Sequence, residues 1–116
     1  MRPGAAGEPP RREPRPAQPK RLELARALAT DPEVLLLDEI GAGLTDAEAA
    51  ELVATITQLR DRGLAIVWIE HIVHVLVQVV ERLVCLAQGR VIADGEPDAV
   101  MRSPAVIDAY LGTAVA

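Results

Sequence analysis

Two short runs of consecutive apolar residues constrain this chain more than any other feature of its sequence. Val34–Leu37 and Ala65–Ile69 are apolar at every position, and each run is followed at once by titratable side chains, Asp38-Glu39 and Glu70-His71. A strand that is apolar throughout, rather than at alternate positions, is typical of a parallel sheet covered on both faces. The sequence therefore predicts two parallel strands with titratable residues at their carboxyl ends.

Amphipathic segments before, between and after these strands predict helices. A short helix begins at Lys20 and ends before Pro32, because the residue preceding a proline disfavours helical geometry. A capping box at Thr45 predicts a second helix that runs to about Arg62. A third helix is expected over Val73–Arg82. Helices that alternate with strands in this way indicate an α/β fold.

The last third of the chain predicts a hairpin and two short helices. Strands over Leu83–Ala87 and Arg90–Ala93 are joined by Gln88-Gly89, a pair suited to a tight hairpin turn. Short helices are expected over Pro97–Met101 and Pro104–Leu111. The predicted architecture is a mainly parallel sheet with flanking helices, a C-terminal hairpin and short terminal helices.

The first nineteen residues differ in composition from the rest. Residues 1–19 contain six prolines and four arginines, with no large apolar side chain beyond Met1. Such a segment buries too little apolar surface to offset the entropy lost on ordering. We predict a disordered Pro/Arg-rich leader over 1–19 and a folded domain over 20–116.

Bulk properties narrow the class of protein. The formal net charge is −5, which does not favour nucleic acid as a partner. No apolar run approaches the roughly 18–20 residues that a membrane span needs. The N-terminal segment has no apolar centre of the kind a signal peptide carries, and Cys85 is the single cysteine. These features indicate a cytoplasmic protein without a membrane span of its own.

The strand ends carry the residues best suited to chemistry. Carboxyl ends of parallel strands meet at one edge of a sheet, so Asp38, Glu39 and His71 are expected to converge. One carboxylate can hold water on Mg²⁺, the next can polarise an attacking water, and a histidine can donate to an anion. The residues alone leave open a plainer interpretation, solvated carboxylates and a histidine at a strand–helix junction. His71 and His74 have the spacing of a metal pair, but no third ligand is evident.

Several segments resemble motifs of the ATP-binding subunits of ABC transporters, over about residues 20–112. The motifs stand in the family's order: Lys20–Pro32 as the helix after the signature loop, Val34–Glu39 as the Walker B strand, Gly43–Glu48 as the D-loop and Ile69–His71 as the switch-histidine loop. The ending Pro104–Gly112 is similar to that of branched-chain amino-acid importer subunits. The chain thus resembles the C-terminal half of such a subunit.

The resemblance implies a partial P-loop NTPase fold, with ATP and Mg²⁺ as ligands in the family. It implies that Asp38 holds the water shell of Mg²⁺, that Glu39 is the general base, and that His71 contacts the γ-phosphate. Gly43 and Leu44 of the D-loop would join the nucleotide-binding set. The implied partners are transmembrane permease subunits and a second ATP-binding subunit. Assembly with them would place the chain at the inner face of the plasma membrane.

The sequence departs from the family in several motifs. It contains no Gly-Lys-Ser/Thr loop to cradle phosphates, and its only lysine is Lys20. The family's Leu-Ser-Gly-Gly-Gln falls on Pro14–Gln18, where only the glutamine matches. Ile40 stands where the family usually has proline, and Ile72 where it often has aspartate; these two departures are milder. We therefore expect a truncated subunit, from a gene fragment or a misassigned start, that is inactive alone, exposes apolar sheet surface and tends to oligomerise.

Two other functions remain open at this point. The chain is alternatively a non-enzymatic module that pairs with a complete ABC subunit or permease and regulates it. It is otherwise a remnant of another ABC-type ATPase, such as a DNA-repair protein. Those proteins carry a coiled coil before the signature region, and residues 1–19 show none.

Overall fold

The computed structural model describes Gly7, Pro10 and residues 17–111, so most of the predicted leader lies outside the described residues. Helices and strands follow in the order α1 (Ala17–Leu28), β1 (Val34–Asp38), α2 (Asp46–Asp61), β2 (Ala65–Ile69), α3 (Val73–Leu76), β3 (Leu83–Ala87), β4 (Arg90–Gly95), α4 (Pro97–Met101) and α5 (Pro104–Val106), with a π-helical turn over Ile107–Leu111. In the described part, no helix has the length and apolar character needed to cross a bilayer.

The strands form two small sheets. β1 and β2 pair in parallel, with Val34 opposite Ala65 and Asp38 opposite Ile69. β3 and β4 form an antiparallel hairpin with a bulge after Cys85. Among the described residues the two pairs remain separate sheets. The predicted α/β class and the parallel pairing of β1 with β2 are confirmed.

The β1–β2 pair is covered on one face only, so the prediction of a sheet covered on both faces is wrong for the described residues. Leu35, Leu37 and Trp68 are 3%, 6% and 9% exposed, whereas Leu36 and Ile69 are 74% and 60% exposed. Successive side chains of a strand point to opposite faces, so a core on one side covers alternate residues only. The exposed apolar surface expected from the sequence is present.

A single core holds the described elements together. Ile56 of α2 and Val106 of α5 are each 1% exposed and belong to the same cluster as Leu35, Trp68 and Leu83. The cluster therefore includes residues of both sheets and of the helices between and after them. This core fixes the two strands whose carboxyl ends carry the titratable residues.

Local turn and cap chemistry follows the sequence closely. The Thr45 side chain accepts a hydrogen bond from the Glu48 backbone N–H at 3.2 Å and donates to the Glu48 carboxylate at 3.0 Å. Gln88 and Gly89 both have positive φ, 50° and 76°, as the tight hairpin turn requires. The capping box and the hairpin turn are confirmed.

Two helix bounds differ from prediction. α3 ends at Leu76, not near Arg82 as predicted. Residues 73–80 contain five valines, whose β-branched side chains lose rotamer freedom in a helix. The Arg60 guanidinium donates to the Val79 carbonyl at 2.7 Å, which satisfies that carbonyl outside a helix. α1 begins at Ala17, three residues before Lys20, and so includes Pro19, which the first turn of a helix tolerates.

Candidate functional site

The carboxyl ends of β1 and β2 meet at one edge of the parallel sheet. Asp38 lies opposite Ile69, and the Glu39 N–H donates to the Ile69 carbonyl at 2.8 Å, which extends the pairing one residue beyond β1. Glu70 and His71 follow directly on β2. The structure thus brings all four titratable residues of the two strand ends to the same edge.

Glu39 and His71 lie side by side at this edge. The Glu39 Oε1 atom is 3.7 Å from His71 Nδ1, and the two side chains are 58% and 65% exposed. Glu39 has φ of 50°, a left-handed conformation that costs a non-glycine residue free energy and is concentrated at functional sites. An accessible carboxylate beside an accessible imidazole can act on one ligand together, the carboxylate as proton acceptor and the imidazole as donor.

Glu70 is the residue of this edge to which the sequence analysis gave no role. Its side chain is fully buried, and its Oε2 atom accepts a hydrogen bond from the Gly41 N–H at 2.9 Å. Its Oε1 atom accepts from the His71 N–H at 3.2 Å and lies 3.5 Å from His71 Nδ1. The signal in the sequence is weak, because Gly41 is 29 positions away from Glu70 and only the folded loops bring the two together.

Asp38 is exposed and follows Leu36 on the open face of the β1–β2 pair. The described residues contain no group of three or more His, Cys, Asp and Glu side chains arranged to hold a metal ion. Mg²⁺ is usually held by one or two carboxylates together with waters and substrate phosphates. Asp38, a single accessible carboxylate at a strand end, fits that donor set.

Gly43 and Leu44 belong to the loop between β1 and α2. Gly43 is exposed, with φ of 76° and open space where a Cβ atom would be. Leu44 lines a groove of about 520 Å³ between α1 and α2, together with Leu24 and Leu52. Glu39 and His71 lie 3.7 Å apart and Asp38 shares their edge, whereas Leu44 lines this separate groove.

The sequence is similar over most of its length to ATP-binding proteins of ABC transporters. It is 40% identical over 98 residues to the high-affinity branched-chain amino acid transport ATP-binding protein BraF of Pseudomonas aeruginosa, a match that covers 84% of this chain and 38% of BraF. It is 40% identical over 93 residues to the lipopolysaccharide export system ATP-binding protein LptB of Haemophilus influenzae, with 80% and 39% covered. The chain therefore spans less than two fifths of the length of either relative.

A solved structure has the same fold. The crystal structure of a nucleotide-free ATP-binding cassette from an ABC transporter matches 86% of this chain and 41% of its own, with a TM-score of 0.79 and 27% identity. The chain is related to the ABC ATPases. A family model described as "Branched-chain amino acid ATP-binding cassette transporter" also matches residues 90–116, of which 112–116 lie outside the described residues.

The ABC ATPase kinship confirms the partial P-loop NTPase fold expected from the sequence. Within that fold, His71 lies close to both Glu39 and Glu70 at the carboxyl edge of the parallel pair, and Asp38 lies at the same edge. The 116 residues contain no Gly-Lys-Ser/Thr loop. A phosphate cradle of the ABC ATPase kind has to come from residues other than these.

Proposed function

We propose that this chain supplies the carboxylate and histidine part of an ATP-hydrolysing site in an ABC transporter ATP-binding subunit. The observation that carries the proposal is the contact of 3.7 Å between Glu39 and His71 at the carboxyl edge of two parallel strands. Ligands in open α/β sheets bind beyond this edge. The pair is accessible, so it can reach a nucleotide whose phosphates are held by a loop outside these residues.

The proposed roles follow from the position of each side chain. Glu39 accepts a proton from the water that attacks the γ-phosphorus, and the bond from that phosphorus to the leaving ADP oxygen breaks. His71 donates a hydrogen bond to a γ-phosphate oxygen. Asp38 holds one of the waters of Mg²⁺, which neutralises charge on the phosphates when it is bound. Gly43 and Leu44, the D-loop residues, join the nucleotide-binding set, as the resemblance to the family implies.

The proposed transport function is import of branched-chain amino acids. Two findings support it: the family model that matches residues 90–116 and the similarity to BraF. The similarity to LptB is equally high, so the residues shared with LptB do not specify the cargo. Transmembrane permease subunits and a second ATP-binding subunit are the proposed partners, at the inner face of the plasma membrane.

A second function is favoured by one observation. The open face of the β1–β2 pair presents Leu36, Val67 and Ile69 at 74%, 54% and 60% exposure. An apolar face of this kind is typical of a surface that binds another polypeptide. A non-enzymatic module that pairs with an ABC subunit would use such a face without hydrolysing ATP itself.

The test is a hybrid in which residues 20–116 replace the region of BraF that they match. We expect the hybrid to hydrolyse ATP, and Glu39→Gln to lower kcat by roughly 10²–10⁴-fold because the general base is lost. Glu33→Gln is the matched control, since Glu33 lies before the opposite end of β1. We expect the 116-residue chain without the added BraF portion to bind no ATP at micromolar concentration.

Three outcomes would count against the proposal. Full hydrolysis by the Glu39→Gln hybrid would remove Glu39 from the reaction. Micromolar ATP binding by the chain alone would show that it does not need a phosphate loop from elsewhere. A hybrid that hydrolyses ATP but does not support leucine uptake with the BraF permease would contradict the proposed cargo and leave the ATPase role in place.

A further inference from the structure

Glu70 links the two loops that carry Glu39 and His71. Its side chain is fully buried, in contrast to the exposed side chains of Glu39 and His71. A buried carboxylate has lost its hydration and needs hydrogen-bond donors in its place. Glu70 has two such donors, the backbone N–H groups of Gly41 at 2.9 Å and of His71 at 3.2 Å. One carboxylate therefore binds the loop after β1 to the loop after β2.

Gly41 lies close against the Glu70 carboxylate. The residue is buried, and a Cβ atom on it would lie 2.9 Å from the Glu70 Oε2 atom, closer than real Cβ atoms approach. Its φ lies outside the left-handed region, so its backbone conformation is open to other residues. A side chain at this position would therefore have to displace the Glu70 carboxylate, whereas the backbone conformation would not oppose it.

We propose that Glu70 is a positioning residue of the site: it fixes the backbone at Gly41 and His71 and directs the His71 imidazole. The Glu70 Oε1 atom lies 3.5 Å from His71 Nδ1, and Glu39 Oε1 lies 3.7 Å from the same nitrogen. Carboxylates on that side favour a proton on Nδ1, because the partner of one ring nitrogen sets the tautomer of a neutral imidazole. Nε2 is then the nitrogen left to face a ligand, and in the doubly protonated ring its N–H donates to an anion while Nδ1–H faces the two carboxylates.

The inference rests on the proposed function for its role in ATP hydrolysis, but its contacts can be tested without nucleotide. Glu70→Gln keeps the size of the side chain and leaves one acceptor oxygen for two N–H donors. In the full 116-residue chain we expect the Gly41 and His71 amides to exchange hydrogen roughly tenfold faster in this variant. Glu39→Gln is the matched control, because Glu39 accepts no backbone hydrogen bond among the described residues. Equal exchange rates in both variants would overturn the inference.

A spectroscopic measurement separates a positioning role from a merely structural one. The ¹⁵N chemical shifts of the imidazole rings report which nitrogen carries the proton. We expect His71 to be protonated mainly on Nδ1 in the native chain and to shift toward Nε2 in Glu70→Gln. His74 is the internal reference, since it forms no ion pair with the described residues. An unchanged His71 tautomer in Glu70→Gln would contradict the inference.

Gly41→Ala disrupts the same contact by changing its other partner. This variant tests the inference even if Glu70→Gln fails to fold. The added methyl group displaces the Glu70 carboxylate, so we expect the His71 amide to lose protection. The double variant should add little further, because both changes break one contact. Gly95→Ala is the control, since its Cβ atom would meet Val100 at an ordinary 3.8 Å. Equal protection in the two alanine variants would sink the inference, while an inactive BraF hybrid with intact contacts would sink the proposed function only.

Discussion

The two faces of the β1–β2 pair are both largely aliphatic, but one is covered by the core and the other is open. On the inner face, Leu35 and Leu37 are 3% and 6% exposed; on the outer face, Leu36 and Ile69 are 74% and 60% exposed. Asp38 continues the outer face at the edge where the titratable residues meet. The site therefore borders an open apolar surface, and the described core stabilises it from one side only.

The sharpest test of this difference compares two neighbouring leucines. Leu35→Ala removes a buried side chain from the core and should lower the free energy of unfolding by about 2–5 kcal/mol. Leu36→Ala makes the identical chemical change on the open face and should alter it by less than about 0.5 kcal/mol. Urea titration at low protein concentration measures both. Similar losses in the two variants would mean that the outer face is covered in solution.

The outer face is also expected to drive self-association. Leu36→Lys places a charge in the middle of the open apolar surface and should raise the protein concentration needed for association roughly tenfold. Leu86→Lys is the matched control, because Leu86 is an exposed leucine of the hairpin, 59% exposed. Sedimentation velocity measures both variants. A native chain that stays monomeric, or an equal effect of the two lysines, would contradict a role for this particular face.

Structural features that depend on neighbouring residues could be predicted from the sequence, whereas features that depend on distant residues could not. The bounds of β2, the Thr45 cap and the Gln88-Gly89 turn follow from residues adjacent in the chain, and all three agree with prediction. The exposure of Leu36 depends on what packs against the sheet. The early end of α3 coincides with a hydrogen bond from Arg60, 19 positions before the Val79 carbonyl that accepts it. Neither fact is encoded in local periodicity.

The same distinction holds for the candidate site. The polar residues that follow the two strands were enough to predict that Asp38, Glu39 and His71 lie at one edge, because parallel strands run in the same direction. The buried link through Glu70 was not foreseeable. It needs the Gly41 amide to reach a carboxylate 29 positions later, and that depends on the shape of both loops after the strands. The roles of these residues in hydrolysis stay predictions.

We expect the smallest effect on stability from an exposed polar pair on the hairpin. Arg82 donates from Nε and Nη2 to the two Asp94 oxygens at 2.7 Å and 2.6 Å. This hydrogen bonding lowers the pKa of Asp94 below its usual value of 3.8. A carboxyl group with a lower pKa in the folded state stabilises the fold above its usual pKa. That stabilisation is lost as the pH falls through the lower, folded value.

Thermal unfolding midpoints across this pH range test the pair. Acidification from near neutral pH to below 3.8 should lower the midpoint of the native chain slightly more than that of Asp94→Asn. Asp31→Asn is the control: Asp31 forms no ion pair with the described residues, and asparagine also tolerates its φ of 53°. Solvent and salt screen an exposed pair, so the gap between native chain and Asp94→Asn should close at high ionic strength. A difference between the two midpoints that persists at high salt would mean that something covers the hairpin surface in solution. The assignment of covered and open faces would then have to be revised for both sheets.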